Sequence, residues 1–153
     1  SGQFDGDSKK RFVGGVNMNR EIIFKAKRRD NGKWLEGYYV YCRKRHYILP
    51  VVNKAVGFDE REDEWVEIVP ETLCQYTGLT DKNGQKIWEN DILKAHLDEN
   101  YPEDITYTKI IWSECRFCTK ENNSSDIEML GKWDAEYFET CGNIFDNPEL
   151  LEG

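Results

Sequence analysis

From Glu21 to Arg28 the side chains change character at every step, with Ile22, Phe24 and Ala26 on one face and Lys25 and Lys27 on the other. A repeat of two residues is the period of a β-strand with one buried face. Asp30-Asn31-Gly32-Lys33 follows, and Asn-Gly is the strongest short hairpin signal because both residues tolerate a positive φ. Trp34 to Cys42 supplies the return strand, dense in residues that suit a pleated surface: Trp34, Tyr38, Tyr39, Val40 and Tyr41.

The same grammar runs on. Arg43-Lys44-Arg45-His46 reads as a turn and Tyr47 to Val52 as a strand bent at Pro50. Asp59 to Glu64 reads as a solvated acidic loop, and Trp65 to Val69 as a strand ended by Pro70. Thr72 to Tyr76 is a short strand, and Thr77 to Gly84 holds two turn signals, the second again Asn-Gly. Gln85 to Trp88, a tight turn at Glu89-Asn90-Asp91, and a strand from Ile92 to Leu97 come next. After a second acidic loop, Asp98 to Asp104, the segments Thr106–Trp112 and Arg116–Lys120 read as a hairpin, and Asn122 to Asp126 as a loop. Ile127 to Leu130 fits either a strand or a helical turn, and Tyr137 to Cys141 a late strand. Asn147 and Pro148 resemble a helix cap and a first helical residue, with room for one turn. No segment sustains a helical period. The expected fold class is therefore mostly β, a β-rich α+β fold at most. Short antiparallel strands would form a small barrel-like or twisted-sheet core, with one short C-terminal helical turn.

A length of 153 residues bounds this to one domain over residues 18–153, or two β lobes sharing a core at about 18–70 and 71–153. Ser1 to Asn17, rich in Gly, Asp and Lys without period, reads as an artificial leader outside the fold; a native disordered arm is the other reading. Aromatic residues at 13% argue against disorder in the rest. No run approaches the ~20 apolar residues of a membrane span, and no signal-peptide pattern opens the chain. Five scattered cysteines read as reduced thiols, which together with these features makes the cytoplasm the expected location.

Several blocks resemble one known family. They are Pro70-Glu71-Thr72, Gln75-Tyr76-Thr77-Gly78-Leu79, Asp81-Lys82-Asn83-Gly84, and Ile87, Glu89, Asp91 and Ile92. The tail adds Gly142-Asn143-Ile144-Phe145 and Asn147-Pro148-Glu149-Leu150-Leu151, and the opening adds Arg20-Glu21-Ile22, Trp34 and Gly37-Tyr38. In this combination, over roughly Met18 to Leu151, the chain is similar to YopX-like proteins. Asn90 stands where that pattern usually has Gly, and Asn tolerates a left-handed backbone. The resemblance implies an origin in phages, prophages and related mobile elements, hence a bacterial host cell. It implies no activity. The shared residues read as structural: Gly78, Gly84 and Asn83 for turns, and Trp34, Tyr76 and Ile92 for the core.

Chemistry is thinly signalled. Cys115-Arg116-Phe117-Cys118 has the spacing of half a zinc site, but strand positions three apart point to opposite faces and a second ligand pair is missing. His46 and His96 sit in no catalytic motif, and the acidic runs fit no calcium loop. No catalytic residue, metal ligand or cofactor is nominated, and no enzymatic activity is expected. Charge is the stronger clue. Ser1 to Lys54 carries 13 Lys/Arg against 5 Asp/Glu, a balance of +8, and the remainder carries 8 against 24, a balance of −16. Such asymmetry suits association with copies of itself or with a phage or host protein, although basic strands lying beside acidic ones within one fold would show it too. The alternative partner is single-stranded nucleic acid, held by basic residues around the rings of Tyr38, Tyr39 and Tyr41. Arg28, Arg29, Arg43 and Arg45 are the binding candidates for either partner.

Overall fold

A computed structural model describes residues 21–51 and 64–152. The leader reading of residues 1–17 and most of the Asp59–Glu64 loop lie outside them. Among the described residues, strands β1 (Phe24–Lys27), β2 (Trp34–Cys42), β3 (Arg45–Pro50), β4 (Val66–Glu67), β5 (Cys74–Thr80) and β6 (Lys86–Trp88) form one antiparallel sheet, in the order β4-β3-β2-β1-β5-β6. Strands β7 (Asp91–Ala95), β8 (Thr106–Ser113), β9 (Arg116–Glu121), β10 (Ile127–Met129) and β11 (Glu139–Asn143) form the second, in the order β10-β9-β8-β7-β11. The mostly-β expectation holds. Neither sheet closes into a barrel, so the twisted-sheet form is the one realised. The first sheet curls until Ile68, just past β4, bridges Arg28 at the end of β1. Arg29 N–H donates there to the Glu67 carbonyl at 3.0 Å, and Val69 N–H to the Lys27 carbonyl at 2.9 Å.

The Asn-Gly corners sit where the alternation requires them, with Gly32 at φ +71° and Gly84 at +81°. Gly78, expected in a turn, lies inside β5 at φ +91°. The signal is absorbed there as a register shift against β6 between Tyr76 and Thr80. Asn90 holds φ +70° between β6 and β7, so the turn is kept without Gly. The change of sheet falls at this turn, which places β5 and β6 with the N-terminal strands.

Two further elements differ from the sequence reading. Lys132–Tyr137 forms a short helix, α1, so the late strand begins at Glu139 and not at Tyr137. Six residues are too few to show a helical period in the sequence. Pro148–Leu151 is the expected single turn, of 3-10 type, but Asn147 makes no side-chain cap to it. The Asn147 Oδ1 instead accepts the Asn143 N–H at 3.3 Å.

Among the described residues, three buried clusters hold the fold. Ala26, Ile48 and Ile68 fill the curl of the first sheet, backed by Phe24, Leu35, Tyr39 and Leu73. Ile23, Cys74, Tyr76 and Trp88 form the second cluster, on the opposite face of that sheet, with Trp34 and Phe145 against it. Ile87, Leu93, Ala95 and Ile110 meet Ala135 and Phe138 at α1 in the third. The core candidates Trp34, Tyr76 and Ile92 are all at least partly buried.

Candidate functional site

Period two decides which β1 side chains share a face. Lys25 and Lys27 turn away from the curl toward the face carrying Trp34 and Glu36 on β2, where Trp34 stands opposite Lys27 and Glu36 opposite Lys25. Lys25 Nζ lies 4.7 Å from the Trp34 ring centre and 5.3 Å from that of Trp88, and 3.5 Å from Asp91 Oδ1. Asp91 is 2% exposed and its Oδ2 accepts the Trp88 N–H at 2.8 Å, closing the turn into β7. Burial pushes its carboxyl up to about 6, with the Lys25 charge and the Trp88 bond pulling the other way. Beside it, Asp146 collects the Lys27 ammonium, the Trp34 indole and the Asn143 amide, which hold its carboxyl down to about 2 despite partial burial. The pairings of Lys25 with Asp91 and of Lys27 with Asp146 fasten β1 of the first sheet to β7 and to the chain's end.

Asp81 performs a similar service for the second sheet. Its burial favours the neutral acid, but backbone N–H groups of Thr140, Gln85 and Asn83 donate to it and the net shift is downward. Asp81, Asn83, Asp91, Asn143 and Phe145 are thus occupied in holding the fold. The blocks that carry the family resemblance do structural work.

Among the described residues, the same outer face continues across β2, β3 and β4 without that covering. Register places Tyr38 beside Leu49, Val40 beside Tyr47, and Tyr47 beside Glu67, and partners in register project to one side. Tyr38 is 53% exposed and Trp65 is 50% exposed. Trp65 packs on Tyr47 with ring centres 5.8 Å apart. The result is an apolar row of Tyr38, Leu49, Val40, Tyr47 and Trp65 across three strands. Tyr41, by contrast, lies on the other face against His46, at 4.8 Å between ring centres, and Tyr39 helps fill the curl and bonds His46 Nδ1 at 2.6 Å.

Of the four candidate arginines, two meet. Arg29 and Arg45 both reach Glu67, at 3.1 Å and 3.8 Å, at the edge of this row. Arg28 is turned to Asp30, which accepts from its Nε at 3.0 Å and its Nη2 at 2.8 Å. Arg43 projects from the exposed β2–β3 turn beside Lys44, at φ +51° and +63°. Sequence reasoning named the cations but missed Tyr47, Leu49 and Trp65, because only the pairing of three strands brings them into one row. Cys115 is exposed and Cys118 buried, and among the described residues no three His, Cys, Asp or Glu side chains approach closely enough to hold a metal ion. No helix among these residues is long and apolar enough to cross a membrane.

A family model described as YopX protein matches residues 23–152. The chain belongs to the YopX family. The match spans both sheets, so the family unit is the whole two-sheet body. A solved structure of protein EF1440 from Enterococcus faecalis resembles this YopX-family chain with a TM-score of 0.55 and 24% identity, over 87% of this chain and 99% of that one. At that identity the likeness concerns the fold. No curated protein matches the chain.

Proposed function

We propose that this chain is a phage- or prophage-encoded accessory protein of the bacterial cytoplasm that works by binding protein, copies of itself first, through the outer face of β2–β3–β4. Catalysis has no part in this reading. The carrying observation is the row from Tyr38 to Trp65. Half-exposed aromatic side chains in one contiguous patch mark interaction surfaces more often than scattered apolar residues do. At its edge Arg29 and Arg45 share a single carboxylate, Glu67, so these three side chains together carry one net positive charge. A basic rim beside an apolar centre suits an acidic partner surface, and the chain from residue 55 onward carries the −16 balance noted above. Charge of this kind sets encounter and orientation, while the apolar row supplies the area to be buried. Light scattering over a range of protein concentrations tests the proposal, which expects a mass above the monomer at low salt.

Single-stranded nucleic acid is the second reading, favoured by the exposed Tyr38 ring and the free-standing Arg43-Lys44 turn. It expects salt-dependent retention of oligonucleotides, already strong at about 50 mM salt and falling as salt rises. No retention at that salt removes it.

A further inference from the structure

The inner face of the second sheet carries a cavity of about 210 Å³ at the open end of α1. Its floor is polar where a core would be apolar: Thr108 on β8 and Thr119 on β9 are both buried. Their cross-strand partners are acidic, Glu121 opposite Thr108 and Glu128 opposite Thr119, so two hydroxyl–carboxylate pairs stand side by side. Asp126 from the β9–β10 loop and Asp134 from α1 complete the rim, and Trp133 forms one wall. Every ionisable side chain in the lining is a carboxylate. None of the four has an ion-pair partner among the described residues.

An acidic cluster alone says little, since such clusters are commonly solvated. Thr108 adds an independent observation. Its side chain is 2% exposed, it lines the cavity, and its Oγ1 has no hydrogen-bond partner in the protein. A buried hydroxyl without a partner is costly, and native folds seldom keep one without a use. We infer that this cavity is a binding site for a guanidinium group. The carboxylates are too dispersed to share one metal ion, but a planar cation with five donors spread over its edge can reach several acceptors at once. Its flat face fits against the indole of Trp133, which is already stacked on Tyr137 with ring centres 4.8 Å apart. A compact ammonium has no matching plane. The volume is below the ~300–1,000 Å³ of pockets for drug-sized ligands, which suits a single side chain or an ion of that size. The guanidinium has two sources, a free small molecule such as arginine or an arginine side chain on a polypeptide.

Titration of the intact chain with methylguanidinium, with L-arginine and with a blocked arginyl peptide, followed by the amide and indole NMR signals, tests the site. Saturable shifts of Trp133 and Thr108 are expected, with methylammonium binding about tenfold more weakly, the equivalent of one charge-assisted hydrogen bond. Tighter binding of the peptide than of L-arginine identifies a polypeptide source, and equal or weaker binding a small-molecule one. Glu128→Gln and Asp126→Asn, both at exposed positions, should each weaken binding about tenfold while leaving the circular dichroism spectrum unchanged. The inference is overturned if no guanidinium probe gives saturable shifts. It is also overturned if both variants bind as the parent does, or if magnesium chloride produces the same shifts. None of these results touches the outer face of the first sheet.

Discussion

Trp34 at the start of β2 donates its indole N–H to Asp146 Oδ2 at 2.6 Å, joining positions 112 residues apart. The same carboxylate pairs with Lys27 and accepts from Asn143. One side chain therefore closes the C-terminal tail onto the first hairpin.

Replacing Asp146 should expose that dependence. Its folded carboxyl sits below the ordinary value, at about 2 against 3.8, so its contribution is complete above about pH 4 and lost as pH falls through 2. Asp146→Ala is expected to cost about 1 kcal/mol at pH 7, the low end for a charged bond because the group is partly solvated. Urea unfolding at pH 7 and pH 2.5 checks this, and an equal loss at both would contradict it.

Asp91 has the opposite sign. Its folded carboxyl lies at about 6, above the 3.8 of an ordinary aspartate. The folded state therefore holds this proton more tightly than the unfolded chain does. The stability it contributes is present at acid pH and declines as pH rises from about 4 to 6. Lys25→Met removes the charge that favours the Asp91 carboxylate. The variant should raise the Asp91 midpoint further and cost roughly 1–3 kcal/mol at pH 7, with a smaller loss at pH 4.5, where Asp91 is protonated in both folded proteins. Carboxyl NMR titration with paired unfolding curves measures both effects. A midpoint that falls would sink this account of the pair.

Gly37 makes room for its neighbours. A Cβ there would overlap the Leu49 carbonyl oxygen and approach Ile48 Cγ2 to 2.8 Å. Gly37→Ala should part β2 from β3 and destabilise by ~1–3 kcal/mol, read as a lowered urea midpoint. An unchanged midpoint would show that the strands separate freely at this point.

Asn90 offers a gain. At φ +70° its backbone sits in the left-handed region, and among the described residues its side chain makes only a 3.6 Å contact with Cys74 Sγ. Asn90→Gly is expected to stabilise by about 0.5–1 kcal/mol, visible as a raised melting temperature. A lowered one would mean that the Cys74 contact outweighs the backbone relief.

Much of the architecture was legible because alternation and Asn-Gly corners are local. The span of β2 from Trp34 to Cys42 and the positive φ of Gly32 and Gly84 follow from neighbouring residues alone. The six-residue α1 escaped because it spans under two turns, and Gly78 misled because a strand irregularity uses the same left-handed φ as a turn. The candidate surface was half legible. Arginine runs show in a sequence, whereas the row joining Tyr38, Tyr47 and Trp65, and the pairing of Glu128 with Thr119, depend on which strands become neighbours. Local pattern does not carry that information.

The central proposal is association through the outer face of β2–β3–β4, and the sharpest test compares the molar mass of the parent chain with that of a Tyr38→Ser/Trp65→Ser double variant. Both are measured at the same high concentration and low salt. The account predicts an assembly for the parent and a folded monomer for the variant. A parent that stays monomeric under those conditions, or a variant that assembles as the parent does, would contradict it.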